Sequence, residues 1–211
     1  MRIFKLVQAL QGILRIHLPC KLCQSAKVDI QRTLCKDCWQ QLPWQRHHAE
    51  HENFHLQVAC HYSYPLNRMI QQFKYEQQLH YLPLLSQLLR SLQLPKVQAI
   101  VAMPVSPQRL AERGYNQSLL LAQQLAAHLN LPIWQPVSRK NEHAQKGLSG
   151  VERRQHIDQQ FYIAQKPKLR FRRVLIIDDV ITTGSSLDAL AKQLKQLGCT
   201  EIHAACLAIA N

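Results

Sequence analysis

The chain has 211 residues, with 26 Lys+Arg against 13 Asp+Glu and a formal net charge of +13. Its 46% hydrophobic content, with only six glycines and ten prolines, excludes a disordered or fibrous chain and fits one domain of ordinary size plus a small appendage. The basic balance favours polyanionic or phosphorylated partners, although a solvated basic surface has the same composition.

In chain order, the first element is MRIFKLVQALQGILRIHLP. Lys5, Gln8, Gln11 and Arg15 interrupt its apolar run and no small-residue cleavage site follows, which argues against a signal peptide. Phe4, Val7, Leu10 and Leu14 recur at helical spacing, so an amphipathic helix packed on the body is expected. No segment approaches the roughly 18 consecutive apolar residues of a membrane span. The expected location is the cytoplasm, where seven cysteines are ligands or core residues rather than disulfides.

Four of those cysteines form two CxxC knuckles, Cys20/Cys23 and Cys35/Cys38. Two intervening residues let both thiolates of a knuckle reach one tetrahedral ion, and the doubling points to zinc over four unliganded thiols or a redox pair. A closed four-sulfur site has no open position for substrate, so the ion is expected to be structural. The His-rich run HHAEHENFH, residues 47–55, offers an extra ligand or a second weak site, a minor alternative once four sulfurs satisfy the metal. Cys60, Cys199 and Cys206 sit in apolar surroundings and read as core.

The chain divides near residue 56, giving an N-terminal segment 1–55 and a larger domain 56–211. HLQVACHYSY (55–64) reads as a strand, and PLNRMIQQF as a helix with Leu66, Met69, Ile70 and Phe73 on one face. QLHYLPLLSQLLRSL continues as helix if Pro83 sits in its first turn. VQAIVAM (97–103) is a buried strand, NQSLLLAQQLAAHLN (116–130) a helix, and VLII (174–177) another buried strand. LDALAKQLKQLG (187–198) is a helix with Leu187, Leu190, Leu194 and Leu197 inward and Gly198 as its stop, and EIHAACLAIA (201–210) is a strand. This alternation predicts an α/β domain, a parallel sheet flanked by helices.

The stretch VLIIDDVITTGSS, residues 174–186, carries the clearest chemistry. In an open parallel sheet, ligands bind beyond the carboxyl ends of the strands, which places Asp178 and Asp179 at the rim of a crevice. Thr182, Thr183, Gly184, Ser185 and Ser186 then lead into a helix. Gly184 admits close backbone approach, the hydroxyls donate, and the helix start presents unpaired amides, a cradle for a phosphate monoester. Two carboxylates repel that phosphate, so they address something a few ångströms away. Vicinal ribose hydroxyls fit, with a divalent cation able to bridge them to a pyrophosphate. A simple helix cap behind an acidic turn would need one hydroxyl, not this loop.

VLIIDDVITTGSS resembles the phosphoribosyl-pyrophosphate (PRPP) motif of type I phosphoribosyltransferases. Together with the two CxxC knuckles, RLAERGYNQ at 109–117 and QKGLSGVERRQH at 145–156, it resembles the ComF family of competence-associated, phosphoribosyltransferase-like proteins. The resemblance covers nearly the whole chain. It implies a type I phosphoribosyltransferase-like sheet with a small N-terminal four-cysteine, zinc-ribbon-like segment, structural zinc, and Mg²⁺ accompanying PRPP. It further implies Asp178 and Asp179 in the catalytic role, and Asp178, Asp179, Val180, Thr182, Thr183, Gly184, Ser185 and Ser186 around PRPP. Two positions depart from the family pattern. Ala111 stands where another arginine is frequent, and His156 where asparagine is common.

Further anion contacts are expected from Arg109 and Arg113, if the strand before them neighbours the aspartate strand, because guanidinium forks bind phosphate oxygens bidentately. Lys74 is a weaker candidate, at least as readily a solvated lysine. Residues 138–154 resemble by position a loop that closes over the site, carrying Arg139, Lys140, Lys146, Arg153 and Arg154. The basic run KPKLRFRR (166–173), with Phe161, Tyr162 and Phe171 nearby, suits single-stranded nucleic acid as well as it suits an edge strand. No motif marks a wall that stacks a base; Phe161, Tyr162 and Trp134 are the candidates.

Three functions share these features. One is a competence protein handling incoming single-stranded DNA alongside DNA-processing proteins, with PRPP or a related ribose phosphate in its pocket. The others are an active phosphoribosyltransferase acting on a nucleobase-like acceptor, and a PRPP-sensing regulator. The knuckles and the charge favour the first.

Overall fold

A computed structural model of the protein describes residues 19–28, 33–141, 159–164 and 168–210. Its main sheet has five strands: β1 (Trp44–Glu50), β2 (His55–His61), β3 (Ala99–Ala102), β6 (Arg173–Ile181) and β7 (Glu201–Ile209). They lie in the order β1-β2-β7-β6-β3. β2, β7, β6 and β3 run parallel, whereas β1 pairs antiparallel with β2. The predicted parallel sheet therefore carries one antiparallel edge, supplied by the His-rich run, whose residues 47–50 lie in β1. That run alternates half-buried and exposed residues, the pattern of an edge with one wet face.

The central strands are buried on both faces because helices cover each side. On β3, Ile100 and Ala102 join one core, while Ala99 and Val101, with Met103 just beyond, join the other. The first core is covered by α2 (Leu66–Tyr75), α3 (Leu82–Arg90) and α5 (Gln117–Leu129). Leu66, Met69, Ile70 and Phe73, the face predicted for α2, are all buried there. Pro83 lies in the first turn of α3, where its missing N–H costs no helical bond. The second core is covered by α6 (Ser185–Gln196), with Leu187, Leu190 and Leu194 inward, and by a two-stranded ribbon of β4 (Val137–Arg139) and β5 (Phe161–Ile163). Each such buried leucine contributes about 1.5–3 kcal/mol. Gly198, at φ +95°, stops the chain after α6 as expected.

The cysteine knuckles pack against the body of the protein. Cys20, Cys35, Cys38, Trp39 and Leu42 belong to the same core as α2 and α3. Thr33 N donates to Gln87 Oε1 at 3.1 Å, and Lys21 Nζ donates to the His80 carbonyl at 3.0 Å. A short helix α1 (Lys36–Gln40) starts on Cys35, and the Trp39 carbonyl accepts from the Trp44 indole at 2.8 Å, which fastens the knuckles to β1. Cys60, Cys199 and Cys206 are buried, and burial pushes their thiols up, Cys60 to about 12 and Cys199 to about 11. The expected N-terminal helix, residues 142–154 of the proposed closing loop, and Lys166 lie outside the described residues.

Candidate functional site

β3 and β6 are parallel neighbours, with Ala102 opposite Ile177, so the segments leaving their carboxyl ends share one crevice. After β3 come Met103, Pro104 and Val105, then α4 (Pro107–Arg113). Ser106 caps α4 by accepting from the Arg109 N–H, Pro107 occupies its start, and Gly114 ends it in the left-handed region. After β6 comes the loop to α6. A cleft of about 360 Å³ lies between them, lined among others by Lys74, Arg109, Arg113, Ser118, Arg139, Asp178, Asp179, Val180 and Ser186. Arg109 and Arg113 thus share the cleft with both aspartates.

The acids are held differently. Asp178 Oδ1 accepts from the Ser118 hydroxyl at 3.0 Å and from the Asp179 N–H at 2.9 Å. Burial, and then the charge of Asp179, push the Asp178 carboxyl up to about 7, against the opposing pull of Lys74 and these hydrogen bonds. Asp179 is buried. Its Oδ1 accepts from the Val180 N–H at 2.7 Å and pairs with Lys74 Nζ at 2.8 Å, while its Oδ2 has no partner among the described residues. Lys74 is therefore not a solvated lysine, since its side chain is only 15% exposed. Burial alone would lower its ammonium, but Asp179 and Asp178 hold it above the ordinary lysine value.

The RLAERGYNQ stretch ties α5 to β3 and to α2. Asn116 caps α5 through the Leu119 N–H at 3.1 Å and ties it to β3 by donating to the Met103 carbonyl at 3.0 Å. The Tyr115 hydroxyl donates to the Phe73 carbonyl, fixing the end of α2 that carries Lys74. Arg113 lies 4.8 Å above the Tyr75 ring.

The hydroxyl loop stands beside the cleft. Ser186 lines it, whereas Thr182 and Thr183 are exposed and Gly184 is buried. Gly184 is the N-cap of α6 at φ +76°, and a glycine has no side chain with which to cap a helix. The Ser185 N–H makes only a long bond, 3.4 Å, to Thr183 Oγ1, which itself lies 2.9 Å from Ser185 Oγ. Behind Gly184 sit His51 and Phe54, stacked at 4.5 Å, and Asn53 donates to Asp188 while accepting from Lys195. The β1–β2 turn therefore buttresses the loop, a role the histidine spacing does not announce.

Other expected contacts separate. Arg139 lines the cleft, its guanidinium held by Gln160 Oε1 at 3.0 Å and lying 5.1 Å over Phe161. Trp134 and Phe161 are buried in the second core, so neither forms a base wall, and Tyr162 does not line the cleft. Arg172 and Arg173 lie at the amino end of β6, about 16 Å of strand from Asp178. No strand precedes Arg173 among the described residues of the basic run.

At the knuckles, the four Sγ atoms lie within 4.8 Å of one another. A tetrahedron with Zn–S near 2.3 Å has edges of about 3.8 Å, and Cys23 Sγ to Cys35 Sγ is 3.8 Å. The amides of Leu22 and Cys35 point at Cys20 Sγ, each at 3.4 Å, and that of Cys38 at Cys35 Sγ at 3.5 Å, a donor set that stabilises thiolates. The cluster is compatible with zinc.

The model of the phosphoribosyl transferase domain matches residues 116–211, which contain the acids and the loop. Competence protein F of Haemophilus influenzae is 36% identical over 181 residues, covering 80% of this chain and 75% of that protein. DNA utilization protein YhgH of Escherichia coli K12 is 32% identical over 187 residues, covering 82% and 76%. A purine phosphoribosyltransferase from Pyrococcus horikoshii aligns at 22% identity and a TM-score of 0.37, over 64% of this chain and 75% of that one. With its phosphoribosyl transferase domain and N-terminal four-cysteine cluster, the chain belongs to the ComF/YhgH family.

Proposed function

We propose that the protein handles incoming single-stranded DNA in natural transformation and binds PRPP, or a related ribose phosphate, in the cleft between β3 and β6. The observation that carries the pocket reading is the junction of an acid pair with a glycine-capped, hydroxyl-lined helix start at the carboxyl end of β6. The 5′-phosphate sits at Thr182 to Ser186, where amides and hydroxyls donate. The ribose hydroxyls donate to Asp178 and Asp179, the latter with an oxygen that has no partner among the described residues. Arg109, Arg113 and Arg139 face the pyrophosphate, and Mg²⁺ accompanies PRPP as its counter-ion. The four thiolates hold a structural zinc. The names of the two relatives, with a net charge of +13, support the DNA reading.

A second reading, an active phosphoribosyltransferase, is favoured by the cations in the cleft. Lys74 and three arginines are what a departing pyrophosphate needs in the transition state. Release of pyrophosphate from PRPP on adding a nucleobase would establish it.

Calorimetry tests the pocket. PRPP should bind the native chain at pH 8 and lose about tenfold in affinity with Asp178→Asn, whose amide oxygen still accepts from Ser118. An unchanged affinity removes the ribose-hydroxyl role. For DNA, oligonucleotide affinity should fall steeply with salt, and no binding at low salt removes that part of the reading.

A further inference from the structure

Among the described residues, the cleft contains one aromatic side chain, and it is none of the three that the sequence suggests. Tyr75, the last residue of α2, lines the cleft next to Lys74. It is 66% exposed even though Arg113 covers it from 4.8 Å, so much of the ring stays open. A lone exposed tyrosine needs no explanation. Tyr64 is 78% exposed and lines no described cleft. Tyr75 differs because it lines the same cleft as Lys74, Asp178 and Asp179.

The geometry points to Tyr75 as the stacking platform for a nucleobase, an inference that rests on the ribose-phosphate reading above. The guanidinium over one side fixes the ring's orientation before a ligand arrives, which reduces the entropy lost on stacking. Gln77 also lines the cleft and is exposed, and its amide both donates and accepts, so it can meet the edge of a base lying on Tyr75. The ligand class is a nucleoside 5′-phosphate, or the end of a single strand, with the sugar on the aspartates and the base on the tyrosine. A cleft of about 360 Å³ is at the small end of ligand sites, enough for one such unit.

The test compares two ligands differing only in the base, ribose 5-phosphate and AMP, titrated into the native chain, Tyr75→Ala, Tyr75→Phe and Tyr64→Ala. The native chain should bind AMP at least about fivefold more tightly than ribose 5-phosphate, the lower end of base–aromatic stacking. Tyr75→Ala should reduce AMP to the affinity of ribose 5-phosphate while leaving the latter unchanged. Tyr75→Phe and Tyr64→Ala should behave as native. Native-like AMP binding by Tyr75→Ala overturns the subsite while sparing the sugar-phosphate pocket. Equal loss of both ligands also overturns it, since the ring would then act only on the fold. Failure of the native chain to bind either ligand removes the pocket reading and the subsite together.

Discussion

Lys74 Nζ lies 2.8 Å from Asp179 Oδ1, with both side chains largely out of water, at 15% and 4% exposure. The pair joins the end of α2 to the rim of β6. Its energetic character follows from burial: removing one member leaves the other charged and unpaired in a low-dielectric site. Lys74→Met should therefore destabilise the protein by about 3 kcal/mol, measured by urea unfolding at pH 8. Adding Asp179→Asn should restore most of that loss, because the stranded charge is gone. Additive losses in the double variant would mean that the two groups do not interact.

Asp178 makes stability depend on pH in an unusual direction for a carboxylate. Its folded value is raised to about 7, so the folded state holds a proton that the unfolded chain has already released. Its contribution is full below the ordinary carboxylate value, falls as pH rises, and is gone above about pH 7. Other carboxylates add slopes of their own. The stability difference between the native chain and Asp178→Asn isolates this one, and it should shift in favour of the variant between pH 4 and 7 and then level off. A difference independent of pH would contradict the raised value.

At the knuckles, loss of any sulfur should reduce bound zinc below one equivalent per chain. The variants should differ in stability, because Cys20 is fully buried in the main core while Cys23 is exposed. Cys20→Ser should lower the melting temperature more than Cys23→Ser, and a chelator should bring the native chain down toward the variants. Full zinc retention in either variant would remove that cysteine from the ligand set.

Gly184 and Gly114 both hold left-handed backbone, at φ +76° and +79°. A Cβ at Gly184 would meet Ile181 Cδ1 at an ordinary 3.5 Å, and at Gly114 it would meet nothing within 4 Å. Alanine at either should cost about 1–2 kcal/mol through the backbone alone. Only Gly184→Ala should also weaken PRPP binding, since only that turn faces the proposed phosphate. Identical ligand affinity in both variants would detach Gly184 from the site.

What the sequence by itself determined rests on local signals. The apolar faces of α2 and α6 repeat at helical spacing, so Phe73 and Leu190 could be placed inside before any neighbour was known. Doubled CxxC spacing marked a metal-type cluster, because each knuckle brings two sulfurs together within four residues. Tertiary structure alone decided what lies across the sheet. Nothing near Lys74 in the chain says that its ammonium is buried on a carboxylate about a hundred residues later, since α2 and β6 meet only when the first core forms. Nothing in the spacing of the histidine run says that it forms an antiparallel edge and a buttress behind Gly184, since that follows from its pairing with β2. Trp134 and Phe161 look available to a base until α6 and the β4–β5 ribbon bury them, leaving Tyr75 at the cleft. Periodicity and spacing are properties of neighbours along the chain, whereas desolvation and ion pairing depend on which distant segments the sheet order brings together.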